Sequence, residues 1–290
     1  MHQRRRLLAV GISASGGGTE SHDGGGHGGS EDGDGDKGAA GSGKLVILDT
    51  ADITSAPTAS IDVGAHPAHV IADAEGNRAY VSNSEDDTLS VIDLRTGDAV
   101  TTIVTGDYPH GLRMSPDGKS IYVANVEDGT VSVIDTATLA ETDRVPVGAA
   151  PVQVGFVPNG GRVYVSLRDA NQVAVIDTAT REVTGRIGVG RSPIQVHATP
   201  DGRFVYVANQ GTDEEPDDTV SVIETASGAV VKTIRTGSGA HGVTVSSDGD
   251  FAFVTNIIDG TVSQISVASQ SVVDTYTVGK GPNGITFQAP

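Results

Sequence analysis

The sequence of 290 residues predicts an all-β fold, a β-propeller, from three features. Glycines Gly64, Gly106, Gly148, Gly190, Gly237 and Gly279 recur every 42 residues, with one interval of 47. Each interval holds four short strand-like runs, and Asp-Gly pairs punctuate the turns between them. A period in the forties with four strand signals per copy is the mark of a propeller blade. Five complete copies run from Gly64 to Gly279. The leftover pieces, residues 44–63 and 280–290, read as strands C and D and as strand A of one more blade. The expected molecule therefore has six blades, five complete and one closed from both termini.

Taken in order, residues 1–15 begin with Arg4, Arg5 and Arg6 and continue into the apolar run from Leu7 to Ala14. That order resembles a twin-arginine export signal and predicts an extracytoplasmic protein. Residues 16–43 are Gly, Asp, Ser and His, too poor in apolar surface to offset the entropy of ordering, and are expected to form a disordered tether. Residues 44–290 are the propeller. The second copy shows the pattern most plainly, with strand A at 111–115, B at 121–125, C at 130–135 and D at 141–147. Asp117-Gly118 and Asp128-Gly129 supply the backbone conformations that tight hairpins need. Strands B and C are continuous apolar runs, as expected of sheets covered on both faces.

The strand B segments Tyr80-Val81-Ser82-Asn83, Tyr122-Val123-Ala124-Asn125 and Tyr206-Val207-Ala208-Asn209 resemble the YVTN β-propeller repeat family. Phe253-Val254-Thr255-Asn256 replaces Tyr by Phe, and Tyr164-Val165-Ser166-Leu167 lacks the final Asn. The resemblance spans about residues 44–290 and implies the propeller fold; it implies no single activity.

Composition narrows the function. There are 37 acidic against 19 basic residues, a net charge of −18, which disfavours nucleic acid as a partner. Cysteine is absent, which removes disulfides, thiolate metal sites and a cysteine nucleophile. No apolar run is long enough to span a membrane, and a monomer is expected. Two G-x-G-x-x-G runs, from Gly237 and from Gly279, lead into strand A rather than into a helix and are read as turn glycines.

In a propeller the D–A and B–C connections share one face, so the start of each strand A surrounds one mouth of the channel. His69, His110, Gln153, Gln195, His241 and Asn283 fall at that place and are the candidate ligand-binding set. His110, His241 and Asn283 sit one position earlier than His69, Gln153 and Gln195. In a strict strand the two groups point to opposite faces, so convergence requires an irregular entry. A structural mouth would also carry polar side chains. Thirteen acids on the same face, among them Asp86, Asp128, Asp217 and Asp259, would favour cations or hydrogen-bonding ligands. The insert in the fourth copy, residues 211–218, is expected to be a solvated acidic loop.

These features predict a non-enzymatic extracytoplasmic scaffold that binds a protein or small-molecule ligand. A His-bearing tail ahead of a propeller resembles zinc-metallochaperone propellers, which would make His22, His27, His69, His110 and His241 zinc ligands. Sugar-lactone hydrolases share a similar propeller, which supplies a third, hydrolytic reading; no catalytic motif accompanies it.

Overall fold

The computed structural model describes residues 7–13, 42–49, 52 and 54–287. Among these residues there are 23 strands in six antiparallel sheets, five of four strands and one of three. The chain divides into two compact units, Met1–Val104 and Thr105–Pro290.

The first unit holds two sheets. One has the order β1 (Leu7–Ser13), β2 (Ser42–Asp49), β3 (Ala59–Ala65). The other is a blade of β4 (Pro67–Ala72), β5 (Arg78–Asn83), β6 (Thr88–Asp93) and β7 (Ala99–Val104). Leu45 and Val63 pack with Ala79, Val81 and Ile92 to join the two sheets.

The second unit holds four blades. They are β8 (Pro109–Met114) to β11 (Ala140–Pro146), with β9 (Ser120–Asn125) and β10 (Thr130–Asp135) between. Next come β12 (Pro151–Phe156), β13 (Arg162–Leu167), β14 (Gln172–Asp177) and β15 (Glu182–Gly188). Then follow β16 (Pro193–Ala198), β17 (Phe204–Gly211), β18 (Pro216–Glu224) and β19 (Ala229–Arg235). The last blade is β20 (Ala240–Val245), β21 (Phe251–Asn256), β22 (Thr261–Ser266) and β23 (Ser271–Thr277).

Where a blade has a neighbour on each side, its middle strands are buried on both faces because those neighbours stack on them. Tyr122, Val131 and Val133 of one blade meet Val154, Val163 and Val165 of the next. Tyr164, Val173 and Val175 likewise meet Val196, Val205 and Val207. Tyr122 also meets the edge of Phe156, with ring centroids 5.1 Å apart. Valine and isoleucine fill pleated, two-sided layers well, so this core has no need of tryptophan.

The N-terminal sheet differs from the expectation. β1, the apolar run read as part of an export signal, pairs with β2 from Leu7–Asp49 to Ser13–Gly43. The sheet is thus assembled from the N-terminal side alone, and β2 begins at Ser42, inside the stretch expected to be tether. Residues 280–287 form no strand. They still run beside β20, where the Asn283 carbonyl accepts from His241, and Phe287 stacks on Phe253 of β21 at 6.0 Å. This is the place of a strand A, and among the described residues no strand pairs with it. The rest of the tether and of the export segment, with His22 and His27, lies outside the described residues.

Candidate functional site at the inner strands

The irregular entry is present in every complete blade. Pro109 pairs with Asn125, and the next partners are Leu112 and Val123. His110 and Gly111 therefore stand against Ala124 alone, a β-bulge that breaks strict alternation. β4, β12, β16 and β20 shift register at the same place. The third residue of the strand B motif serves this bulge. Ser82 Oγ accepts from His69 N at 3.1 Å, Ser166 Oγ from Gln153 N at 3.1 Å, and Thr255 Oγ1 from Gly242 N at 2.8 Å.

The motif's Asn builds the blade junction. Asn83 Oδ1 accepts from Gly64 N at 3.1 Å while Nδ2 donates to Thr88 and Ser90. Asn256 repeats the arrangement with Gly237, Thr261 and Ser263. A Cβ at Gly190 would lie 2.5 Å from Asn209 Cγ, and one at Gly64 2.5 Å from Asn83 Cγ. The recurring glycine is thus the space that the Asn side chain occupies. Where Leu167 replaces Asn, the pressure vanishes, and a Cβ at Gly148 would meet nothing nearer than Arg186 at 3.4 Å.

The candidate polar residues reach across the bulges to the following inner strand. His110 Nδ1 donates to the Val152 carbonyl at 3.2 Å, and His241 Nδ1 to the Asn283 carbonyl at 2.6 Å. A carbonyl only accepts, so in both rings Nδ1 carries the proton. Gln153 is fully buried and accepts from Val154 N at 3.0 Å. Its Oε1 lies 2.5 Å from where a Gly111 Cβ would be. Gln195 Oε1 accepts from Val243 N at 3.4 Å. The structure therefore sets His110 against the Val152 carbonyl and Gln153 against Gly111, and places Gln195 and His241 at the contact between β16 and β20. His110 and His241 sit on strands separated by β12 and β16. His69 belongs to the first unit. Among the described residues no group of three or more His, Cys, Asp or Glu side chains is placed to hold a metal ion. Burial pushes the His241 imidazole below its ordinary pKa.

Several acids of the B–C turns hold the junctions. Asp86 Oδ2 accepts from Ala65 N at 2.7 Å, Asp217 Oδ2 from Arg191 N at 2.9 Å and Asp259 Oδ2 from Ser238 N at 2.8 Å. Asp128 accepts from Thr130 Oγ1 at 2.6 Å. These bonds also show that the B–C turns and the D–A connections share a face. The insert of the fourth copy is an extended hairpin rather than an irregular loop. Gly211 pairs with Pro216, Thr212 N donates to Glu215 O, and Arg191 braces Glu215 at 2.7 Å.

Sequence reading missed a second cluster at the opposite ends of the inner strands. The fifth residue is Arg113 on β8, Gly155 on β12 and His197 on β16. These three, with Met114, Phe156, Val196 and Ala198, line a cavity of about 190 Å³. Gly155 sits between the two larger side chains, and a Cβ there would meet Val196 Cγ2 at 2.9 Å. Arg113 Nη1 donates to the Leu112 carbonyl at 3.0 Å. His197 Nδ1 donates to the Ala198 carbonyl at 3.0 Å. Burial, assisted by the charge of Arg113, lowers the His197 pKa to about 4. Burial also lowers that of Arg113. Aligning the fifth positions of the inner strands would have singled out these two residues, since the equivalents are Ile71, Gly155 and Thr244.

A profile of the YNCE-like beta-propeller family matches residues 50–160 and 139–289. Among solved structures, Kuenenia stuttgartiensis hydrazine synthase is similar with a TM-score of 0.71 and 22% identity, covering 83% of this chain and 82% of that one. A functionally unknown protein from Desulfotomaculum acetoxidans DSM 771 has a TM-score of 0.70 and 17% identity, covering 81% and 77%. At these identities the likeness is one of fold. No curated protein matches in sequence. With the repeat, the bulged inner strands and the Asn–Gly junctions in place, the chain belongs to the YNCE-like β-propeller family.

Proposed function

We propose that the protein is a non-enzymatic, extracytoplasmic binding scaffold that engages its partner on the face of the B–C turns. The observation that carries this reading is the extended hairpin between β17 and β18. There one blade departs from the common frame and presents exposed Asp213, Glu214 and Glu215. Arg191 braces the hairpin through Glu215 and Asp217, so little ordering entropy remains to be lost on binding. The polar side chains of the inner strands, by contrast, bond to main chain, which suits a frame. A basic protein surface is the partner that such an acidic edge would steer and hold. Export rests on the arginine-then-apolar order of the start alone, whose apolar run is also the strand β1.

The test is capture from a cell-envelope extract on immobilised protein, with and without Asp213→Ser/Glu214→Ser. A basic partner retained at low salt, released at high salt and lost with the variant is expected. Equal capture by the two proteins would remove the hairpin from the proposal. Stoichiometric zinc in calorimetry, lost in a His69→Ala/His110→Ala/His241→Ala variant, would favour metal carriage instead. Turnover of a lactone panel would favour hydrolysis.

A further inference from the structure

The cavity between β8, β12 and β16 contains a guanidinium without an anion. Among the described residues Arg113 has one protein acceptor, the Leu112 carbonyl, and no carboxylate lines the space with it. A guanidinium has five N–H donors, so most of its capacity is unspent. Its neighbour His197 cannot supply the missing charge, because its lowered pKa leaves the imidazole neutral at pH 7. Arg113 is partly buried, so its unspent donors face the cavity rather than a protein acceptor.

The lining indicates what would complete it. The planar fork of arginine matches a carboxylate through two parallel hydrogen bonds. On His197, Nδ1 is committed as a donor to Ala198, so Nε2 is the acceptor of the ring and suits a ligand hydroxyl. Met114, Phe156, Val196 and Ala198 give apolar walls, and the space of about 190 Å³ between them suits a small carbon skeleton. A phosphate dianion would meet a single cation and an imidazole lone pair, so its second charge would be uncompensated.

From this we infer that the cavity over Gly155 is a binding site for a small hydroxycarboxylate, with Arg113 holding the carboxylate and His197 accepting from the hydroxyl. The site lies at the other ends of the inner strands from His110 and Gln153. It stands apart from the hairpin, so either proposal can fail without the other.

Calorimetric titration of the full chain with lactate tests it, with propionate and inorganic phosphate as comparison probes. Lactate is expected to bind, propionate to bind about tenfold more weakly for want of the hydroxyl, and phosphate not to bind. Arg113→Met should abolish lactate binding while melting no lower than the wild type, because it removes a partly buried charge that has no carboxylate beside it. His197→Phe should bring lactate down to the level of propionate. Should Arg113→Met fail to fold, Arg113→Lys keeps the charge but loses the fork, and should weaken lactate by about tenfold. No lactate binding at millimolar concentration, phosphate bound in preference, or lactate binding that survives the loss of the guanidinium would each overturn the assignment.

Discussion

A single side chain sets the spacing of the repeat. Asn83, Asn125, Asn209 and Asn256 each turn inward and donate to a Thr and a Ser of the next strand. The junction residue must then lack a Cβ. The Asn of the repeat and the glycine period are therefore one feature seen twice, and Leu167 with Gly148 is the informative exception. In a double-mutant cycle, Gly190→Ala should destabilise by about 2 kcal/mol or more, as overpacking does. Asn209→Ala should cost about 1–3 kcal/mol through lost buried hydrogen bonds. The double variant should cost less than the sum, because the shortened side chain gives the new methyl room. Strict additivity in chemical denaturation would show that the contact does not set the glycine.

At the scale of the strand, the bulge gives the inner strand its two uses. It lets a residue at the second position, His110, and one at the third, Gln195, each turn toward the following inner strand, which strict alternation forbids. The bulge survives burial because a hydroxyl from the next strand satisfies its amide. Ser166 does this and also donates to Ile194 O at 2.6 Å, linking two blades through one atom. Ser166→Ala should therefore lower stability by about 1–3 kcal/mol, leaving a buried donor and a buried acceptor without partners. A loss within experimental error would argue that the bulge holds without it. The element boundaries were legible because each blade's strands are neighbours in sequence. The C strand of the second copy, residues 130–135, matches its expected limits, and the others shift by one or two residues. The acidic insert was legible only as an insert. Its pairing as a hairpin depends on Gly211 adopting a positive φ of 75° and on Arg191, which lies in the preceding junction.

At the scale of the molecule, titration separates turns from interior. Hydrogen bonds from Arg95 and its backbone hold Asp93 at about 2, and bonds from Thr138 and Thr180 lower Asp135 and Asp177. Their contribution is present above the ordinary carboxylate pKa and is lost only as pH falls toward those lowered values. His197 acts at higher pH. Its folded pKa of about 4 lies below the ordinary 6.5, so between these values the unfolded chain binds a proton that the folded chain does not. Stability should fall as pH drops from 6.5 to 4, by roughly 3 kcal/mol at most from this group. His197→Gln should flatten that slope in melts taken across the window, and an unchanged slope would place the titration elsewhere.

The last blade shows a limit of repetition. Ile103, Val145, Ile187 and Ile234 are buried in the outer strands of their blades, whereas Tyr276, the residue at the same register in β23, is 45% exposed. Within the second unit no further blade follows to cover it. The repeat, the turn chemistry, the hydrophobic middle strands and hence the all-β blade architecture were determined by the sequence alone, because hairpins form between segments a few residues apart. The strand that completes the N-terminal sheet and the meeting of Arg113 with His197 over a bare Gly155 were decided by the tertiary structure. Those contacts join segments one to two blade-lengths apart, and no local pattern records which side chains stacking will bring face to face.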